Sequence, residues 1–102
     1  MAKRTIIWTL TASKQRRILL AYWNNRTKST SYSDKIIHIT KARLQTVLNH
    51  PLIGKKTDFL NTRVITLGHY SIFYKYNNEH IIIMSFWDNR QDPQKLINLL
   101  KT

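Results

Sequence analysis

The chain of 102 residues contains no cysteine, which excludes disulfide staples and thiolate chemistry and makes a soluble cytoplasmic protein the expectation. Proline and glycine are almost absent, two of each. Pro51 ends a helical pattern, Gly54 follows it, Gly68 separates two alternating runs, and Pro93 opens a helix. No apolar run approaches the ~20 residues of a transmembrane helix. The Thr5–Leu10 stretch is far too short for the apolar core of a signal peptide, so neither a membrane span nor a leader is expected. Acids are scarce as well: five Asp and Glu face 17 Lys and Arg, for a net charge of +12. So small a domain with that excess repels itself unless a partner or counterions screen it. Nucleic acid, a ribonucleoprotein surface and an acidic protein are the candidate partners.

Hydrophobic residues make up 42% of the sequence, enough to exclude a disordered chain and to fill one modest core. A single domain over residues 1–102 is expected. Ile6, Trp8 and Leu10 alternate with Ile7 and Thr9, predicting a first strand at about residues 4–10. Thr11-Ala12-Ser13-Lys14 begins a helix in which Ile18, Leu19, Tyr22 and Trp23 recur at helical spacing. The polar stretch Asn24–Thr30 reads as a break, followed by a second helix starting near Ser31 or Ser33, with one of these serines as its cap. Ile36, Ile37, Leu44, Val47 and Leu48 mark its buried side, and Pro51 forces its end.

Between Gly54 and Asn61 no periodicity is visible, which predicts a basic loop carrying Lys55, Lys56 and Asp58. Two alternating strands, Thr62–Leu67 and Tyr70–Tyr76, meet at Gly68-His69. A turn at Asn77-Asn78, two residues tolerant of positive φ, leads to Ile81–Trp87, apolar on both faces and so expected centrally in the sheet, covered on each side. Asp92-Pro93 starts a short C-terminal helix carried by Leu96, Ile97, Leu99 and Leu100. The order predicts an α+β fold: an N-terminal strand, an antiparallel helical hairpin packed on an antiparallel-meander sheet, and a short C-terminal helix.

Chemistry is thinly spread. His38, His50, His69 and His80 form no pair at metal-ligand spacing, so no metal site and no cofactor are expected. The acids offer no catalytic pair; Asp92 reads as a cap, Asp34 as a first-turn charge, and Arg90 stands between Asp88 and Asp92. The basic set is more suggestive. Sheet twist is expected to converge several of Lys55, Lys56, Arg63, Lys75 and Arg90 on the uncovered face, with His69 at the turn between strands and Tyr70 and Trp87 available to stack on bases. Lys and Arg placed together also suffice in principle to neutralise a pentavalent phosphate during RNA cleavage.

Taken in order, Tyr22-Trp23 closing the first helix, the His50-Pro51-Leu52-Ile53-Gly54 linker, Arg63-Val64-Ile65, Gly68-His69-Tyr70-Ser71-Ile72-Phe73-Tyr74, and Ile81-Ile82-Ile83 running into Trp87-Asp88-Asn89-Arg90 resemble the RelE/ParE superfamily of type II toxin–antitoxin toxins. The resemblance covers nearly the whole chain. It implies a growth-arresting, cytoplasmic bacterial toxin of the plasmid-stabilisation kind, neutralised by a small acidic antitoxin that wraps the helical hairpin and sheet. Tyr22, Trp23, Leu44 and Leu48 are the expected antitoxin contacts.

Lys55, Lys56, Arg63, His69, Lys75, Trp87 and Arg90 are the expected contacts to the target. Two branches of the superfamily differ in that target. One cuts mRNA on the ribosome, and carried onto this chain its catalytic candidates are Arg63, His69 and Arg90. Ser71, however, stands where that branch commonly has an arginine, and residues 93–102 contain no aromatic or histidine. The other branch blocks DNA gyrase without such a set, and the chain looks closer to it. A plain nucleic-acid-binding module is the third reading.

Overall fold

Thr9 turns the chain from strand into helix. Its backbone is extended, and its hydroxyl accepts the Ala12 amide at 3.2 Å, satisfying one of the free donors of the first helical turn. Before it runs β1 (Thr5–Trp8) and after it α1 (Leu10–Thr27). The computed structural model describes residues 4–100, apart from the side chains of Pro93, Leu99 and Leu100. The side chains of Leu99 and Leu100, named for the C-terminal helix, therefore lie outside the described residues.

The polar break expected from Asn24 is instead the last turn of α1. Thr27 donates its hydroxyl to the Trp23 carbonyl at 2.8 Å, and the helix stops at Lys28 in the left-handed conformation, φ 56°. Polar side chains on an exposed turn do not end a helix; a backbone reversal does. In α2 (Ser31–Asn49) neither Ser31 nor Ser33 is the cap: Thr30 holds that position without a side-chain bond, and the Ser29 hydroxyl takes the Ser31 amide. Ser33 is buried and pins the helices together, donating toward the Leu20 carbonyl and the Asn24 side chain of α1.

The sheet contains five strands in the order β1-β5-β4-β3-β2, with β2 (Lys55–Lys56), β3 (Arg63–Leu67), β4 (Tyr70–Tyr76) and β5 (His80–Asp88). Strands β3, β4 and β5 pair antiparallel in order, as the meander predicts; β2 adds antiparallel to β3, and β1 lies parallel to β5. The expected basic loop contains the two residues of β2, which close the edge against β3. Between β4 and β5 the register passes from Phe73 opposite Ser85 to Tyr74 opposite Ile83, so Met84 is an extra residue in a β-bulge. The β4–β5 turn uses no positive φ at Asn77 or Asn78. Instead the Asn77 side chain accepts the amides of Glu79 and His80.

Helices α1 and α2 cover one face of the sheet. There Tyr70, Ile72, Tyr74, Ile81, Ile83 and Phe86 pack with Ala12, Ile36, Leu44 and Val47 into the main core. Strand β5 is interior, between β1 and β4, and Ile82 and Met84 on it are only half-buried. Phe73 and Trp87 are buried apart from the main core, and α3 (Pro93–Leu100) contacts β5. Asp92 caps α3 by accepting the Gln94 amide at 3.0 Å. No described helix is long and apolar enough to cross a membrane.

Candidate functional site

An open groove of about 630 Å³ runs between the second half of α1 and the end of β5. Ile18, Tyr22 and Arg26, four residues apart, form one ridge of the helix. Ile18 and Tyr22 are 58% and 52% exposed, a large apolar surface for a free side chain on so charged a protein. Leu19, Trp23, Phe86 and Trp87 line the interior, and Asp88, Arg90 and Gln91 form the opposite wall.

Five side chains, Trp23, Tyr32, Tyr70, Asp88 and Arg90, organise that wall. The Trp23 indole donates to the Tyr70 hydroxyl at 2.8 Å, and Trp23 packs edge-on against Tyr32 with centroids 4.7 Å apart. Arg90 grips Asp88 in a two-pronged pair, Nε to Oδ1 at 2.9 Å and Nη2 to Oδ2 at 2.8 Å. Its guanidinium lies 6.0 Å from the Trp23 ring and 5.9 Å from the Tyr70 ring. Burial pushes the Tyr70 phenol up, partly opposed by the indole bond. The hydrogen bonds from Arg90 hold the Asp88 carboxyl below its ordinary range, and the same pairing raises Arg90 further.

A group whose folded pKa is depressed stabilises the fold above its unfolded pKa and loses that contribution as pH falls through the folded value. Asp88 is such a group. The thermal midpoint of Asp88→Asn should therefore lie below that of the native chain at neutral pH, and the gap should close below about pH 4. Melting both proteins between pH 2 and 7 checks this; a gap of constant size would sink the assignment.

The cations expected to converge on one face divide between the two faces of the sheet. Lys56 stands opposite Arg63 in the β2–β3 ladder, so these two share a face. Lys55 pairs with Val64, Val64 with Phe73, and Lys75 follows two residues later, so Lys55 and Lys75 share the opposite face. His69 is exposed at the β3–β4 turn, at the Arg90 end of the sheet. The strand period of two separates residues that sheet twist was expected to gather.

Arg63 is engaged by the chain itself. Its Nη1 donates to the carbonyls of Gly54 at 2.7 Å and Leu52 at 3.1 Å, fixing the linker after α2. Tyr74 completes that clamp: its hydroxyl takes the Gly54 amide at 3.0 Å and donates to the Pro51 carbonyl at 2.7 Å. Ser71 is buried and donates to Asn89 at 2.8 Å. Leu44, expected at the partner surface, is 4% exposed in the core, and Leu48 is half-buried against it. The helical stripe marks buried positions, not docking positions. Ile18, Arg26 and Asp88 escaped the sequence-based site; the spacing of Ile18 and Tyr22 was visible, but their exposure was not.

The sequence pattern described as the ParE toxin of type II toxin–antitoxin system, parDE, matches residues 6–93. Among solved structures, the chain is similar to one from a chromosomal ParDE TA system of P. aeruginosa. The TM-score is 0.70 at 12% identity, covering 82% of this chain and 94% of that one, a likeness of fold. No curated protein matches the chain. With the helical hairpin, the sheet order and the 6–93 match together, the chain belongs to the ParE toxin family of type II toxin–antitoxin systems.

Proposed function

We propose that the chain is a cytoplasmic, growth-arresting toxin that blocks DNA gyrase through its surface without cutting RNA. A small acidic antitoxin neutralises it by laying an apolar segment in the α1–β5 groove. Membership of the family implies an antitoxin partner. The groove suits an acidic one, because its apolar ridge is bordered by Arg26 and Arg90 on a chain of net charge +12.

The observation that carries the non-catalytic reading is the separation of the two arginines. Arg63 pairs with Tyr74 in the ladder, and Arg90 lies beside Tyr70, four residues along β4. At ~3.3 Å per residue their strand positions lie about 13 Å apart. The groups that hold them, the Leu52 and Gly54 carbonyls for Arg63 and Asp88 for Arg90, keep the two guanidinium groups at separate places. His69 sits exposed at the Arg90 end of the sheet, away from Arg63.

Induction in a bacterial host should stop growth and accumulate DNA breaks while transcripts stay intact, and the purified chain should inhibit supercoiling by gyrase. Codon-positioned cleavage of translated mRNA with gyrase unaffected would establish the ribosome-dependent nuclease instead. Undisturbed growth would leave the nucleic-acid-binding module.

A further inference from the structure

A second cavity, of about 590 Å³, opens at the β2–β3 edge, walled by Lys56 and Arg63, by Thr57 and Asn61, and by the rings of Phe59 and Tyr76. Tyr76 lies six residues along β4 from Tyr70, about 20 Å from the Arg90 end. We propose that this cavity binds the phosphate of a nucleotide unit between Lys56 and Arg63, with the adjoining base against Tyr76.

Like charges directly opposite in a ladder destabilise a sheet. Lys56 and Arg63 are such a pair, and no acidic side chain lines the cavity. Asp58, in the same loop, is exposed and outside the lining. The ion pairs among the described residues, Glu79 with His80 and Asp88 with Arg90, are elsewhere. An anion seated between the two cations relieves the repulsion.

Arg63 is already positioned to receive it. Two carbonyls hold Nη1, while Nε and Nη2 have no partner among the described residues. A guanidinium fixed through one nitrogen loses little further freedom when the others close on a phosphate. The loop beside it is also preformed. The Thr57 hydroxyl takes the Phe59 amide at 3.1 Å and donates to the Thr62 carbonyl at 2.9 Å, and Asn61 turns the chain at φ 55°. Phe59 and Tyr76 are half-buried, so ring surface remains for a base.

The proposal goes beyond the gyrase reading: oligonucleotide binding and gyrase inhibition are separate assays, and either can fail while the other stands. The test is fluorescence anisotropy with a labelled single-stranded oligonucleotide, with UMP and inorganic phosphate as competitors. Lys56→Ala should weaken binding roughly five- to tenfold at physiological salt and lower the salt slope by about one. Tyr76→Leu should weaken it roughly tenfold, and Tyr76→Phe should restore it.

Lys14→Ala, which removes the same charge from an exposed position on α1, should do far less. Thermal midpoints confirm that each variant folds, and Arg63 is left in place because it also holds the linker. Competition by UMP at the oligonucleotide's own concentration would identify a free nucleotide as the ligand; competition only by unlabelled strand would identify single-stranded nucleic acid. Both outcomes uphold the site. Equal losses from Lys14→Ala and Lys56→Ala would overturn it, reducing the binding to net charge, as would indifference to Tyr76→Leu for the base contact.

Discussion

Replacing Gly54 by alanine is expected to lower the free energy of unfolding by about 3 kcal/mol, combining overpacking with damaged buried hydrogen bonds. For a domain of this size that is a fall in thermal midpoint of roughly 15 °C. A Cβ at Gly54 would stand 2.6 Å from the Tyr74 hydroxyl and 2.8 Å and 3.0 Å from two ring carbons. The ring cannot swing clear, because Tyr74 is fully buried and its hydroxyl is bonded to both Gly54 and Pro51. Either the linker backs away, losing those bonds and the Arg63 bond to the Gly54 carbonyl, or the core opens. Gly68→Ala is the control. Nothing lies within 4 Å of a Cβ there, so only the left-handed backbone at φ 62° resists the change, at a cost of about 1 kcal/mol. Urea denaturation of both variants checks the ranking; a Gly54→Ala midpoint no lower than that of Gly68→Ala would show that the linker yields cheaply.

That clamp shows where sequence reading stops. The apolar alternation of Thr62–Leu67 and Tyr70–Tyr76 predicts two paired strands, and the structure has them in that order and sense, β3 beginning at Arg63. Helix periodicity likewise predicts the hairpin, because a buried stripe recurs every three to four residues. What was not legible depends on contacts between distant parts of the chain. Strand β2 contributes two residues, too few to show a period.

The parallel pairing of β1 with β5 joins Ile6 to Ile81, and no local pattern records it. The role of Arg63 is set by the path of residues 52–54, which brings two carbonyls to its guanidinium. Sequence gave its charge and its strand position, and from these a free cation is the natural reading. Arg90 and Asp88 were legible as neighbours, but the rings that receive Arg90 come from α1 and β4. Resemblance to the superfamily succeeded for the fold because it compares ordered sets of segments, which survive such rearrangements of individual side chains.

Trp23 is where that groove wall is most exposed to mutation, and Trp23→Ala is expected to cost about 3 kcal/mol, at the lower end for loss of a large aromatic because the residue is only half-buried. The indole packs edge-on against Tyr22 and Tyr32, donates to Tyr70, and provides one of the ring faces beneath Arg90. Trp23→Phe separates these contributions. It keeps a six-membered ring for packing and removes the N–H donor to a buried hydroxyl together with the pyrrole ring's share of contact, for a loss of about 1 to 2 kcal/mol. Because the indole bond opposes the upward push of burial on Tyr70, its removal should also move the Tyr70 titration to higher pH.

Thermal denaturation and phenolate absorbance at alkaline pH measure the two effects. If phenylalanine proves as costly as alanine, the hydrogen bond to Tyr70 governs the site and the packing is secondary. If it proves neutral and Tyr70 titrates unchanged, the indole contributes only bulk. The expected middle result would mean that the groove is held open by aromatic packing and tuned by one donor. A segment entering it, as proposed for the antitoxin, would then meet a wall already ordered in the free chain, at little further entropic cost.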